Sequence, residues 1–86
     1  MAAIVTQYPY RMQNVGSGIK AVIDMNGAKT ASIVPGPRNT LGLSVQSSLP
    51  SESAPIITQT GTTAPTLTLT YSVNKTSTIY VDWVGI

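Results

Sequence analysis

Asp24, Glu52 and Asp82 are the carboxylates of this 86-residue chain, and Arg11, Lys20, Lys29, Arg38 and Lys75 are its cations. Hydrolysis by paired carboxylates needs two acids at a set separation around one bond. Asp24 stands beside an Asn-Gly turn, Glu52 in a loop and Asp82 in the final apolar-alternating segment, and no spacing unites two of them. A serine nucleophile needs a neighbouring base. With no histidine in the chain a Ser–Lys pair is what remains, and no Ser-x-x-Lys spacing is expected. Gly16-Ser17-Gly18 is too short for a phosphate-cradling loop and leads into no helix. The absence of cysteine and histidine excludes disulfides and thiol chemistry and argues against a zinc site. Three scattered acids do not assemble a calcium loop. The chain is therefore read as non-enzymatic, with no catalytic residue, cofactor or metal.

What is left is recognition, for which the candidates are Tyr8, Pro9, Tyr10, Arg38 and Tyr80. Strands must position them. Leu67, Leu69, Tyr71 and Val73 alternate with threonine and serine, and Ile79, Val81 and Trp83 alternate with Thr78, Tyr80 and Asp82. A period of two marks strands with one buried face. A three-residue loop at Asn74-Lys75-Thr76 predicts a hairpin pairing Tyr71 with Ile79, Leu69 with Val81 and Leu67 with Trp83, although no glycine serves the turn. That loop also matches the N-glycosylation pattern and is read as a plain turn. Trp83 is expected in the core and Asp82 on the opposite face, with Lys20 or Arg11 as a candidate partner.

Asn26-Gly27 is a strong signal for a two-residue turn. It predicts a second hairpin with Asp24 opposite Lys29, one face of Ile19, Ala21, Ile23, Met25 and Val34, and another of Lys20, Val22, Asp24, Ala31 and Ile33. Ala2–Gln7 reads as a strand. Pro9 lacks an N–H, so the segment around it belongs at an edge or in an arm over residues 1–11. Tyr8 and Tyr10 either dock into a neighbour or cover the local core, and the second reading carries more weight. Residues 13–18 read as a loop. Pro35 to Asn39 is a turn, where Arg38 is either a partner contact or, with more weight, a solvated side chain. Leu41, Leu43 and Val45 mark another strand, with Gly42 a candidate bulge. Between Ser47 and Pro65 an irregular stretch holds one short edge strand around Ile56 to Thr60. The whole predicts a single all-β domain over residues 1–86, a small antiparallel sandwich or partly open barrel of about six strands.

Charged residues make up 9% of the chain, against roughly 25% in typical soluble domains. Twelve threonines and nine serines take their place. An uncharged hydroxyl surface repels copies of itself weakly, so self-association is the expected use of it. The net charge of +2 is spread over five isolated cations with no basic stripe, which argues against nucleic-acid binding. No segment has the apolar length of a membrane helix, and the opening Met-Ala-Ala-Ile-Val lacks the basic and apolar regions of a signal peptide, so a product made in the cytosol is expected.

The extended Ala2–Tyr10 segment, the threonine-rich Thr66–Tyr71 strand and the absence of cysteine and of a signal together resemble the small β-rich virion proteins of bacteriophages, including those that decorate a capsid. The resemblance is one of style across the chain and rests on no residue motif. It implies a symmetric homo-oligomer, a trimer among the options, bound to a coat-protein lattice on the virion surface through the arm and loops. Two other functions fit the residues. One is a carbohydrate-binding, lectin-like module using exposed tyrosines, with Tyr80 the better candidate than the buried Trp83. The other is an adaptor or inhibitor that docks by strand addition along Ala2–Gln7 or Ile56–Thr60.

Overall fold

Burial follows the period-two alternation along the inner strands of the fold. The computed structural model describes residues 2–12, 16–37, 39–49 and 51–86. Among them it has seven strands and no helix: β1 (Ile4–Met12), β2 (Gly16–Asp24), β3 (Ala28–Ile33), β4 (Thr40–Ser47), β5 (Ile56–Thr60), β6 (Thr66–Lys75) and β7 (Thr78–Gly85). They form two antiparallel sheets, one ordered β1-β2-β7-β4 and the other β3-β6-β5. The sheets pack face to face, so the fold is a small all-β sandwich. Its core is Ile19, Ala21, Ile23 and Met25 with Ile79, Val81 and Trp83 from one layer, and Ala28, Ala31, Ile33, Leu67, Leu69 and Tyr71 from the other. Trp83 is wholly enclosed. Its indole N–H donates to Thr40 Oγ1 at 2.8 Å, and Thr40 Oγ1 donates to Gln59 Oε1 at 2.9 Å. A buried indole without such a partner would lose a hydrogen bond it made to water.

Both predicted hairpins are instead crossings between the sheets. β6 pairs with β3 and β5, and β7 pairs with β2 and β4. Tyr71, Leu69, Leu67, Ile79, Val81 and Trp83 are all buried as expected, but they line opposite layers and not one ladder. A single-sheet hairpin would put all six on one face and leave that face to be covered by something else. Rolling the second strand over buries the two rows between the layers. The same holds at Asn26-Gly27. The turn is present, with φ of 50° and 82° and the Ala28 N–H donating to the Met25 carbonyl at 2.7 Å. Yet β2 and β3 leave it for different sheets. Ala31 and Ile33 therefore point inward and Val34 lies exposed, the reverse of the predicted faces. Asp24 sits across from Ile4 and Thr78 and accepts from the Asn26 N–H at 3.1 Å. The predicted Asp24–Lys29 contact is absent, because the two residues no longer share a ladder.

The two crossings bond to each other. The Gly27 N–H donates to the Lys75 carbonyl at 2.8 Å and the Met25 N–H to the Ser77 carbonyl at 3.2 Å. The segment around Pro9 is the edge strand β1, hydrogen-bonded to β2 along its length. The register shift between Thr40 and Gly42 is the bulge that Gly42 suggested, and β5 is the short edge strand expected in the irregular stretch. Gly16 to Gly18, read as loop, already belong to β2; positions 13–15 of that predicted loop lie outside the described residues.

Gly27→Ala places a Cβ where φ is left-handed. It should lower the unfolding free energy by about 1–2 kcal/mol in a urea titration, with the far-ultraviolet spectrum unchanged.

Candidate interaction surfaces

Registers across three ladders bring distant residues together on the outer face of the four-stranded sheet. Tyr8 pairs with Lys20, Lys20 with Asp82, and Asp82 with Ser44, giving one row across the sheet. Thr6, Val22, Tyr80 and Gln46 make the adjacent row. The side chains of both rows point away from the core. Tyr8, Lys20, Val22, Ser44, Gln46, Tyr80 and Asp82 line an open depression of about 390 Å³. Tyr8 is 56% exposed and Tyr80 is 49% exposed.

Tyr10 lies one row further on, opposite Gly18. A Cβ on Gly18 would run into the Tyr10 ring, so the ring lies flat across that glycine. This carries the Tyr10 hydroxyl to Asp82, where it donates to Oδ1 at 2.6 Å. The bond to the carboxylate, then burial, raise the Tyr10 hydroxyl above its ordinary pKa. Lys20 Nζ sits 5.8 Å from the Tyr10 ring centroid, within cation–π range. Lys20 is thus the cross-strand neighbour of Asp82, as one of the two expected alternatives had it, and Tyr10 is the hydrogen-bond partner.

The recognition candidates therefore separate. Tyr8 and Tyr80 share the depression. Tyr10 orients Asp82 beside it, and Pro9, of the opposite parity on β1, lines a separate hollow of about 340 Å³ with Arg11 and Pro35 to Pro37. Neither Tyr8 nor Tyr10 covers the core, the reading given more weight from sequence. Both fall on the outer parity of β1, while Val5 and, just before the strand, Ala3 pack inward. Arg38 lies outside the described residues.

A second surface runs along the flank where β4 and β5 end their sheets. Thr40 and Gln59 bridge the two strands at one end. Leu41 is 61% exposed, Ile56 is 71% exposed, and Leu43 and Ile57 are also exposed. From residue 39 to residue 74 the sole charged side chain is Glu52, and it is turned inward at the crossing. The opposite flank is better closed. There the Gln7 amide donates to the Val34 carbonyl at 3.2 Å and the Asn26 amide to the Ala2 carbonyl at 3.1 Å. Its edge strands carry Pro9 and Arg11 on β1 and Lys29 on β3.

Glu52 is expected in a loop, with no spacing that unites it with another carboxylate. In the fold it meets Ser77 and Lys75, residues that no sequence spacing joins to it. Ser77 Oγ donates to Oε1 at 2.8 Å and lies 3.0 Å from Oε2. Lys75 Nζ lies 3.6 Å from Oε1, with the Glu52 side chain only 4% exposed. Burial alone would raise the Glu52 carboxyl. Hydrogen bonds from Ser47 and Ser77, together with the Lys75 ammonium, outweigh it and hold the group below the usual carboxylate range. The site is a clamp. It ties the loop after β4 to the β6–β7 crossing, beside the Ser48 N–H to Thr78 carbonyl bond at 2.8 Å.

Two Ser-x-x-Lys spacings do occur, Ser17 with Lys20 in β2 and Ser72 with Lys75 in β6. Ser17 and Lys20, three apart on a regular strand, face opposite ways; the β3–β6 ladder shifts register between Thr70 and Lys75, and there the Lys75 ammonium lies 3.6 Å from Glu52 Oε1. Among the described residues no group of three or more potential metal ligands comes together.

No family model, no curated protein and no solved structure matches the chain.

Because the folded Glu52 pKa lies below its unfolded value, its contribution is full above the unfolded pKa and is lost as pH falls through the folded one. Glu52→Gln should cost about 2 kcal/mol at neutral pH and should flatten the acid limb of stability against pH. Thermal unfolding between neutral and strongly acid pH reads both effects.

Proposed function

We propose that the protein is a non-enzymatic structural subunit that associates with copies of itself and seats on a larger protein assembly. The observation that carries this is the β4–β5 flank. An outermost strand presents a row of unpaired N–H and C=O groups, and soluble proteins usually guard it with charge, proline or a covering segment. β1 has Pro9 and Arg11, and β3 has Lys29 and a register shift at its start. β4 has a bulge at one end only, and neither β4 nor β5 has a charge or a proline within the strand.

The occupant that fits is a second copy of the same chain. Edge strands without charge meet their own copies without like-charge repulsion, and the chain's five cations lie outside β4 and β5. Pairing through two β4 strands about a two-fold axis gives a dimer. Repeated β4-to-β5 contact around a ring gives a closed trimer or larger ring. The finer reading, a capsid or particle decoration subunit, draws on the style resemblance together with this flank.

Light scattering after size-exclusion chromatography should return a multiple of the 9.0 kDa chain mass at high protein concentration. Leu41→Lys together with Ile56→Lys should shift the equilibrium at least tenfold toward the 9.0 kDa species, since both side chains are exposed and the fold should survive. Arg11→Ala on the opposite flank should leave the mass unchanged. A monomer at every concentration, or a doubly substituted protein that assembles like the parent, would contradict the proposal.

A further inference from the structure

The outer face of the four-stranded sheet carries features that edge pairing does not use. We propose that the depression between Tyr8 and Tyr80 binds a neutral oligosaccharide. This inference stands apart from self-association, which continues the sheet sideways and leaves its outer face open.

Three properties of the depression select the ligand. Its walls are two exposed tyrosine rings with Val22 between them. Tyr8 and Tyr80 stand two strands apart, roughly 10 Å across the sheet, and one row apart along it. That separation suits an extended ligand touching each ring with a different unit. The C–H faces of sugar rings pack on aromatic faces of this kind, and the phenol tips remain free to pair with hydroxyls.

The second property is hydrogen-bonding character. Ser44, Gln46, Lys20 and Asp82 lie along the same two rows, and between them they supply donors and acceptors that match sugar hydroxyls, which are both. Asp82 is already held by the Tyr10 hydroxyl at 2.6 Å, so accepting from a ligand hydroxyl carries little further ordering cost.

The third property is charge. The charged residues lining the depression are Lys20 and Asp82, cross-strand neighbours of opposite sign. Their sum is zero, which fits a neutral glycan and disfavours a uronate, a sulfated sugar or a phosphate. A peptide strand is disfavoured as well. β2 and β7 are interior strands, hydrogen-bonded on both sides, so this face offers no free backbone groups for strand addition.

The test is a titration of the uniformly nitrogen-15-labelled full chain, at a concentration where light scattering gives one mass. The probes are cellohexaose, maltohexaose, laminarihexaose and hexa-N-acetylchitohexaose, with a heparin-derived hexasaccharide and a decaproline peptide alongside. At least one neutral hexasaccharide is expected to shift the backbone signals of Tyr8, Lys20, Val22, Tyr80 and Asp82. Tyr80→Ala should weaken that binding at least tenfold, and Tyr80→Phe should keep most of it. A urea midpoint near the parent's confirms that each variant is folded, as expected for an exposed ring. Absence of shifts with all four neutral probes overturns the proposal. So does tighter binding of the heparin fragment, binding of decaproline in place of sugar, or neutral-sugar binding that Tyr80→Ala leaves unchanged.

Discussion

Two chain crossings at one end of the sandwich set the arrangement of the rest. β2 passes to β3 through Asn26-Gly27, and β6 passes to β7 through the segment after Lys75. Each sends an apolar row into the layer opposite the one it left. The crossings are joined by the Gly27 and Met25 N–H groups donating to the Lys75 and Ser77 carbonyls. Glu52 then holds Ser77 and Lys75 from the side. A buried carboxylate is costly unless its lone pairs are filled and a cation stands near, and this one has both. If the crossings opened into hairpins, Ile23, Met25, Leu69 and Ile79, all fully enclosed here, would share one sheet face with no second layer over it.

The apolar faces of β2, β7 and the first part of β6 were legible in the sequence; the face of β3, the exposure of Val73 and the pairings were not, for a physical reason. Alternation of Leu67, Leu69 and Tyr71 against Ile79, Val81 and Trp83 says which side chains share a buried environment. A hairpin and a crossing between layers satisfy that pattern equally. The missing glycine at Asn74-Lys75-Thr76 was the one local sign against the hairpin. At Asn26-Gly27 the turn chemistry was right and still did not fix the partner strand, because tertiary packing decides where each strand goes once it leaves the turn. Edge strands were easier. Pro9 removes a ladder donor wherever it sits, so β1 had to lie at a margin.

The surfaces were less legible than the core. The row Tyr8, Lys20, Asp82, Ser44 depends on three antiparallel registers between segments far apart in sequence. The Glu52 clamp depends on a loop meeting a crossing 25 residues later. Tyr80 could be placed on the outer face from its parity against Val81 and Trp83, and Asp82 likewise. Their neighbours could not. The scarcity of charge was visible from the start, but its placement was not. Glu52 and Lys75 lock the crossings, Lys20 and Asp82 face each other across a ladder, and the strands β4 and β5 themselves carry none. Low charge thus acts through geography, leaving one margin unguarded while the other keeps Pro9, Arg11 and Lys29.

Amide hydrogen exchange, followed at a low and a high protein concentration, examines that unguarded margin most directly. Self-association through the flank predicts that the outward amides of β4 and β5 slow as concentration rises, while those of β1 on the opposite flank exchange at the same rate throughout. Exchange in β4 and β5 that is independent of concentration, or slowing confined to β1, would contradict it.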